Sequence, residues 1–133
     1  MAGVGRDTER RQLLCIEGWM AAGRGETAEA RRLLRTARQE LADAGQLFLA
    51  TGLALDLAAL SAGQEDKGAV AELARELEPL AHEKSLPQPS RSAIRSFCWM
   101  VERGIFDAKR GRRLAEEFRR GGCRLLRPYE IPV

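Results

Sequence analysis

Apolar residues recur along the chain at the three- and four-residue spacing of amphipathic helices, in segments separated by Gly or Pro. The second segment shows the pattern most clearly, because Ala30, Leu34, Ala37 and Leu41 share one stripe and the arginines lie away from it. The spacing predicts six helices, at about residues 7–22, 26–44, 46–62, 66–83, 90–106 and 107–120.

Short polar residues, glycines and prolines mark the predicted helix ends. Asp7 and Ser90 are expected to cap the first and fifth helices, since their side chains can accept a hydrogen bond from a free N–H. Gly45 is expected to end the second helix and Gly121-Gly122 the sixth. Pro79 should bend the end of the fourth, because proline removes a helix hydrogen bond.

The third segment differs from the others, since its apolar residues point almost all the way round. Such a helix belongs in the middle of a fold. The first segment is expected to place Leu13, Ile16 and Met20 on one face of its helix. We also expect Trp19 and Trp99 in the core, although tryptophan is enriched at binding hot spots as well.

The composition supports an all-α domain. Ala and Leu supply 20 and 18 residues, whereas the β-branched Ile, Val and Thr supply four each, which excludes an all-β fold. A chain of 133 residues is long enough for one domain with its own core. We therefore predict a flexible N-terminus (1–6), a single helical domain (7–120) and an extended C-terminal tail (121–133).

Small and large apolar residues repeat at the crossing positions of successive hairpins. The separations of 12, 4 and 3 residues occur twice: Gly18, Ala30, Leu34, Ala37; and Ala58, Val70, Ala74, Leu77. This arrangement resembles the tetratricopeptide repeat of bacterial regulatory and scaffold proteins. The predicted fold is three antiparallel helical hairpins, stacked as a short tetratricopeptide-like solenoid or packed as a right-handed helical bundle. The resemblance implies that a protein or peptide binds in a concave face.

Positive charge is concentrated at the C-terminal end of the chain. Residues 1–90 carry 11 basic and 14 acidic side chains, giving −3, while residues 91–133 carry 11 basic and five acidic ones, giving +6. Such a region can neutralise phosphates or match an acidic protein surface. The predicted partner-binding residues in it are Arg95, Arg103, Arg110, Arg112, Arg113 and, in the tail, Tyr129.

Asp56 is a further candidate, because it interrupts the most apolar helix. Burying a carboxylate costs several kcal/mol unless it is paired or hydrogen-bonded. Two roles are open: a structural bond to a nearby arginine or helix end, or contact with a ligand in a groove.

The residues that metal binding or catalysis would need are sparse. His82 is the only histidine, and the three cysteines, Cys15, Cys98 and Cys123, lie far apart in the sequence. We therefore expect no zinc site, no disulfide, no cofactor and no cysteine–histidine catalysis. Glycine-rich phosphate loops need a preceding strand, and none is predicted.

The sequence favours a non-enzymatic interaction module, an adaptor, scaffold or regulatory subunit that binds a protein or peptide through a helical groove. The alternative is a small all-helical subunit of a nucleoprotein complex that contacts nucleic acid through its C-terminal arginines. No signal peptide or membrane span is predicted, and a cytoplasmic, bacterial protein is expected. The oligomeric state stays open.

Overall fold

Helices make up most of the computed structural model, which describes the backbone of residues 2–130 and the side chains of residues 7–121. They are α1 (Ala2–Gly23), α2 (Thr27–Asp43), α3 (Leu47–Gly63), α4 (Lys67–Leu77), α5 (Gln88–Glu102) and α6 (Ala108–Glu130). No strand occurs between residues 2 and 130, so the all-α prediction is confirmed. Over the residues described, none of these helices combines the length and the apolar character that a membrane span requires.

The third helix is the centre of the fold, as its sequence predicts. Buried residues lie on every side of α3, including Leu53, Leu55, Leu57 and Ala58. The helix packs against α2, α4 and α6. Neighbouring helices therefore bury the apolar side chains of α3 on several of its sides.

The last four helices form a closed ring around the core. α3 packs on α4, α4 on α5, α5 on α6, and α6 returns to α3. Phe97 of α5 and Phe118 of α6 are fully buried, and Phe118 stacks on Phe48 of α3 with the ring centroids 4.8 Å apart. The α1–α2 hairpin lies outside the ring and joins it through the packing of α2 on α3. The second and third hairpins thus close on each other as a bundle.

Four connections share one turn geometry, after α1, α2, α3 and α5. In each, a residue with positive φ follows the helix: Gly25, Gly45, Glu65 and Gly104. The next residue donates its N–H to a carbonyl five positions back, which is the hydrogen bond of a Schellman motif. Glycine adopts this conformation without steric cost. Glu65 is the exception, with φ 58°, because the glycine of that segment, Gly63, is the last residue of α3.

Two glycines of α6 allow its neighbours to approach closely. A Cβ on Gly111 would lie 2.7 Å from Cβ of Ala59 on α3, and one on Gly121 would lie 2.6 Å from Oγ of Ser90 on α5. The Ser90 hydroxyl donates a 2.7 Å hydrogen bond to the Phe118 carbonyl. Gly121 therefore serves helix packing and does not end the helix.

Both ends of the helical region differ from the prediction. α1 begins at Ala2, within the predicted flexible N-terminus of residues 1–6, so Asp7 lies inside the helix and does not cap it. No proline interrupts residues 2–6, and a glycine in a helix costs only about 1 kcal/mol. α6 likewise passes Gly121-Gly122, where each glycine costs only about 1 kcal/mol, and runs to Glu130 with Pro128 inside it, so the predicted extended tail (121–133) is helical as far as the backbone is described.

The predicted boundaries around α4 and α5 are partly confirmed. α4 ends at Leu77, and Pro79 lies in the short 3-10 helix Glu78–His82 that follows, as expected from its missing N–H. α5 begins at Gln88, so Ser90 is a buried residue of its first turn and not its cap. Pro89 is tolerated there because N–H groups of a first turn have no helical partner.

We expect Gly111→Ala to destabilise the protein by about 2 kcal/mol, since the added methyl overlaps the Ala59 backbone of α3. Urea unfolding measures the change. Gly23→Ala is the matched control, because a Cβ on Gly23 meets no heavy atom within 4 Å. Equal unfolding midpoints for the two variants would contradict the close α3–α6 packing.

Candidate functional site

Exposed apolar side chains are concentrated on α1 and at the start of α3. Five of the seven large ones among the described residues belong to these helices: Leu13, Ile16, Trp19, Met20 and Leu49, each 45–56% exposed. The expectation that Trp19 lies in the core is wrong, and the face of Leu13, Ile16 and Met20 is exposed as well. α1 packs on α2 through another side, where Gly18 and Ala21 are buried. Exposed apolar side chains concentrated in this way mark a candidate interaction site.

A groove of about 400 Å³ lies between α1 and α3. Ile16 and Trp19 line it from α1, Leu49 and Leu53 from α3. The remaining lining residues are Leu41 of α2, Arg119 of α6 and, from α1 and the α2–α3 turn, Thr8, Arg11, Gln12, Cys15 and Gln46. We call this space the α1–α3 groove.

Arg119, which lines the groove, forms an ion pair with Asp56. Arg119 of α6 donates from Nη1 to Oδ1 of Asp56 at 3.1 Å and from Nη2 to Oδ2 at 2.5 Å. Trp19 of α1 donates its indole N–H to Oδ2 of the same carboxylate at 2.9 Å. The Asp56 side chain is only 16% exposed, so its charge is satisfied almost entirely by these donors. Of the two roles considered for Asp56, the structure shows the bond to an arginine.

Gly52 makes room for the guanidinium. It lies one turn before Asp56 on α3, and a Cβ there would lie 3.3 Å from Nε and Nη2 of Arg119. The guanidinium carbon also lies 5.4 Å from the centroid of the Trp19 ring, in the range of a cation–π interaction. One arginine thereby connects α1, α3 and α6.

Cys15 is the nucleophilic side chain in the groove. Burial raises the pKa of its thiol; the nearby Arg119 guanidinium acts in the opposite direction, and Asp56 adds to the rise. A raised pKa leaves little thiolate near neutral pH, which makes Cys15 a weak nucleophile. Among the described residues, no three His, Cys, Asp or Glu side chains come together as a metal-ligating group.

The predicted arginines lie elsewhere on the molecule. Arg110 binds Asp107 and the Ile105 carbonyl in the α5–α6 turn, Arg95 donates to the Ala81 carbonyl, and the Arg103 guanidinium lies over the Trp99 ring. Arg112 and Arg113 are exposed on α6. None of these five, nor Asp56, is among the groove-lining residues. Tyr129 has its side chain outside the described residues.

Sequence reasoning missed Arg119, Trp19, Ile16 and Leu49 as site residues. Arg119 and Asp56 are 63 positions apart, and no local pattern connects them. One signal was available: a glycine four residues before a lone carboxylate, on the same helix face, leaves space for a long cationic side chain.

Asp56→Ala is expected to destabilise the protein by about 2 kcal/mol, since Arg119 and the Trp19 indole lose their acceptor. In a double-mutant cycle with Arg119→Ala, a coupling on the order of 1 kcal/mol should appear in urea unfolding. The control is Arg32→Ala, whose exposed pair with Glu29 contributes about 0.5 kcal/mol or less. Additive effects of the two single changes would refute the pairing.

The alkylation rate of Cys15 should rise over a higher pH range than the alkylation rate of a free cysteine thiol. In a Cys98→Ser/Cys123→Ser variant we expect iodoacetamide to react slowly near neutral pH, with the rate still rising above the ordinary cysteine range, because only the thiolate reacts. The same variant unfolded in urea is the reference and should show an ordinary profile. Coincident folded and unfolded profiles would count against the burial of this thiol.

Comparison of the chain with protein-family models, with curated proteins and with solved structures gave no match. The resemblance of the hairpins to the tetratricopeptide repeat stays a prediction.

Proposed function

We propose that the protein is a non-enzymatic interaction module that binds a protein or peptide partner in the α1–α3 groove. The exposed apolar lining of this groove is the observation that carries the proposal. Ile16, Trp19 and Leu49 offer apolar area that solvent contacts in the free protein and that a partner would bury.

The chemistry of the groove suits a macromolecular partner. Its lining combines apolar side chains with the neutral polar groups of Thr8, Gln12 and Gln46 and with two arginines, Arg11 and Arg119. Protein interfaces likewise combine apolar and polar side chains. Trp19 is a residue type enriched at binding hot spots, and its ring is held in place by Asp56 and Arg119. A fixed side chain loses little conformational entropy on binding.

The partner segment that we propose for this site is helical. Gln12, Ile16 and Trp19 line the groove from α1 at helical spacing, so a partner helix laid along α1 can contact several of them at once. This mode agrees with the predicted role as an adaptor, scaffold or regulatory subunit. A cytoplasmic location is part of the same proposal.

The test compares proteins captured from the native host by the wild-type chain and by two variants. Ile16→Glu/Leu49→Glu places charges in the groove and should reduce the retention of a true partner at least about tenfold, because a buried unpaired charge is costly. Ile105→Glu changes an exposed apolar residue outside the groove and should leave that retention unchanged.

A footprint locates the contact. The purified partner should protect Cys15 from alkylation and leave the reaction of Cys98 unchanged, as read by mass spectrometry of the two peptides. A partner retained equally by both variants, or one that leaves Cys15 unprotected, would refute binding in the groove.

A further inference from the structure

A line of arginines and one tryptophan runs along the outer face of α5. Arg95 and Trp99 of α5 and Arg103, the residue directly after its end, follow each other at four-residue spacing, which places them on one side of the helix. All three are exposed. Arg91, one turn earlier and half-buried, extends the line. We call Arg91, Arg95, Trp99 and Arg103 the α5 stripe.

The arginines of the α5 stripe have no acidic partners among the described residues. Seven arginines elsewhere form ion pairs with carboxylates: Arg10, Arg24, Arg31, Arg32, Arg38, Arg110 and Arg119. Within the stripe, Arg95 donates only to neutral acceptors, the Ala81 carbonyl at 3.2 Å and the Ser92 hydroxyl at 3.4 Å. Like charges one helical turn apart repel each other, so the stripe retains a positive potential that an anion would relieve.

Trp99 adds a flat aromatic surface to this charge. The side chain is 50% exposed, so the expectation that it lies in the core is wrong. The Arg103 guanidinium lies over the ring, 4.6 Å from its centroid. Nucleobases stack on aromatic rings and on guanidinium planes, and Trp99 and Arg103 supply one of each.

We propose that the α5 stripe binds single-stranded nucleic acid. Arg95 and Arg91 contact phosphates, while an unpaired base stacks against Trp99 and Arg103. The exposed indole favours this occupant over an acidic peptide, because a peptide carboxylate needs the arginines but gains nothing from a stacking surface. The site is separate from the α1–α3 groove, which none of its residues lines, and the inference stands without the proposed function.

Fluorescence anisotropy of a fluorescein-labelled twelve-nucleotide oligothymidylate tests the proposal with the full chain in 50 mM NaCl. Arg95→Gln/Arg103→Gln should weaken binding about tenfold or more, and Trp99→Leu about fivefold or more, because base stacking on an aromatic ring is a large part of single-strand affinity. The oligonucleotide should also quench tryptophan emission in the wild type but not in Trp99→Leu, which retains Trp19.

The matched control is Arg32→Gln/Arg35→Gln, which removes two exposed arginines from α2 and leaves the α5 stripe intact. It should change the affinity less than about twofold. Equal losses in the two double variants would show diffuse charge attraction and overturn the proposal. The absence of binding to the wild type would also overturn the proposal.

Two further measurements separate phosphate binding from the acidic-peptide alternative. The logarithm of affinity should fall with the logarithm of salt concentration by about 0.7 per neutralised phosphate, as for other single strands. A labelled twelve-residue polyglutamate should bind at least about tenfold more weakly than the oligonucleotide. Polyglutamate binding of equal strength, with no effect of Trp99→Leu on either ligand, would assign the surface to an acidic protein.

Discussion

The carboxylate of Asp56 lies within the most apolar helix of the protein, and the structure depends on how it is satisfied. Two guanidinium nitrogens of Arg119 and the indole N–H of Trp19 provide the donors. Because these donors come from α6 and α1, one carboxylate fixes the position of both helices against α3. Trp19 and Arg119 also line the α1–α3 groove. The contacts that hold these helices together therefore also position two side chains of the site.

Helical periodicity reveals which residues share a face, but it does not reveal what covers that face. The central position of α3 could be predicted because its side chains are apolar all round. Such a helix buries them only when other helices pack on several of its sides. On α1 the same reasoning failed. Leu13, Ile16 and Met20 form a stripe as regular as that of a core helix, yet α2 packs on the small residues of the opposite side.

Glycine shows a second limit of sequence reasoning, because it has more than one structural use. Gly45 ends a helix with positive φ, as predicted, whereas Gly111 and Gly121 lie inside α6 and allow α3 and α5 to approach. The choice between these uses depends on a neighbour distant in sequence. The same holds for charge: the excess of C-terminal arginines suggested one binding region, but Arg110 and Arg119 are occupied by carboxylates, and the arginines of α5 are not.

The way α1 is attached has a consequence for motion. α1 packs mainly along α2, and the Trp19 contacts connect it to Asp56 of α3 and Arg119 of α6, while each helix of the ring packs against at least two others. Elements with fewer packed neighbours open at lower free energy than the global unfolding of the protein. Separation of α1 would leave the packing within the ring intact and would remove one side of the groove. Amide hydrogen exchange would then distinguish two stability classes in one small domain, with the backbone of α1 in the less protected class.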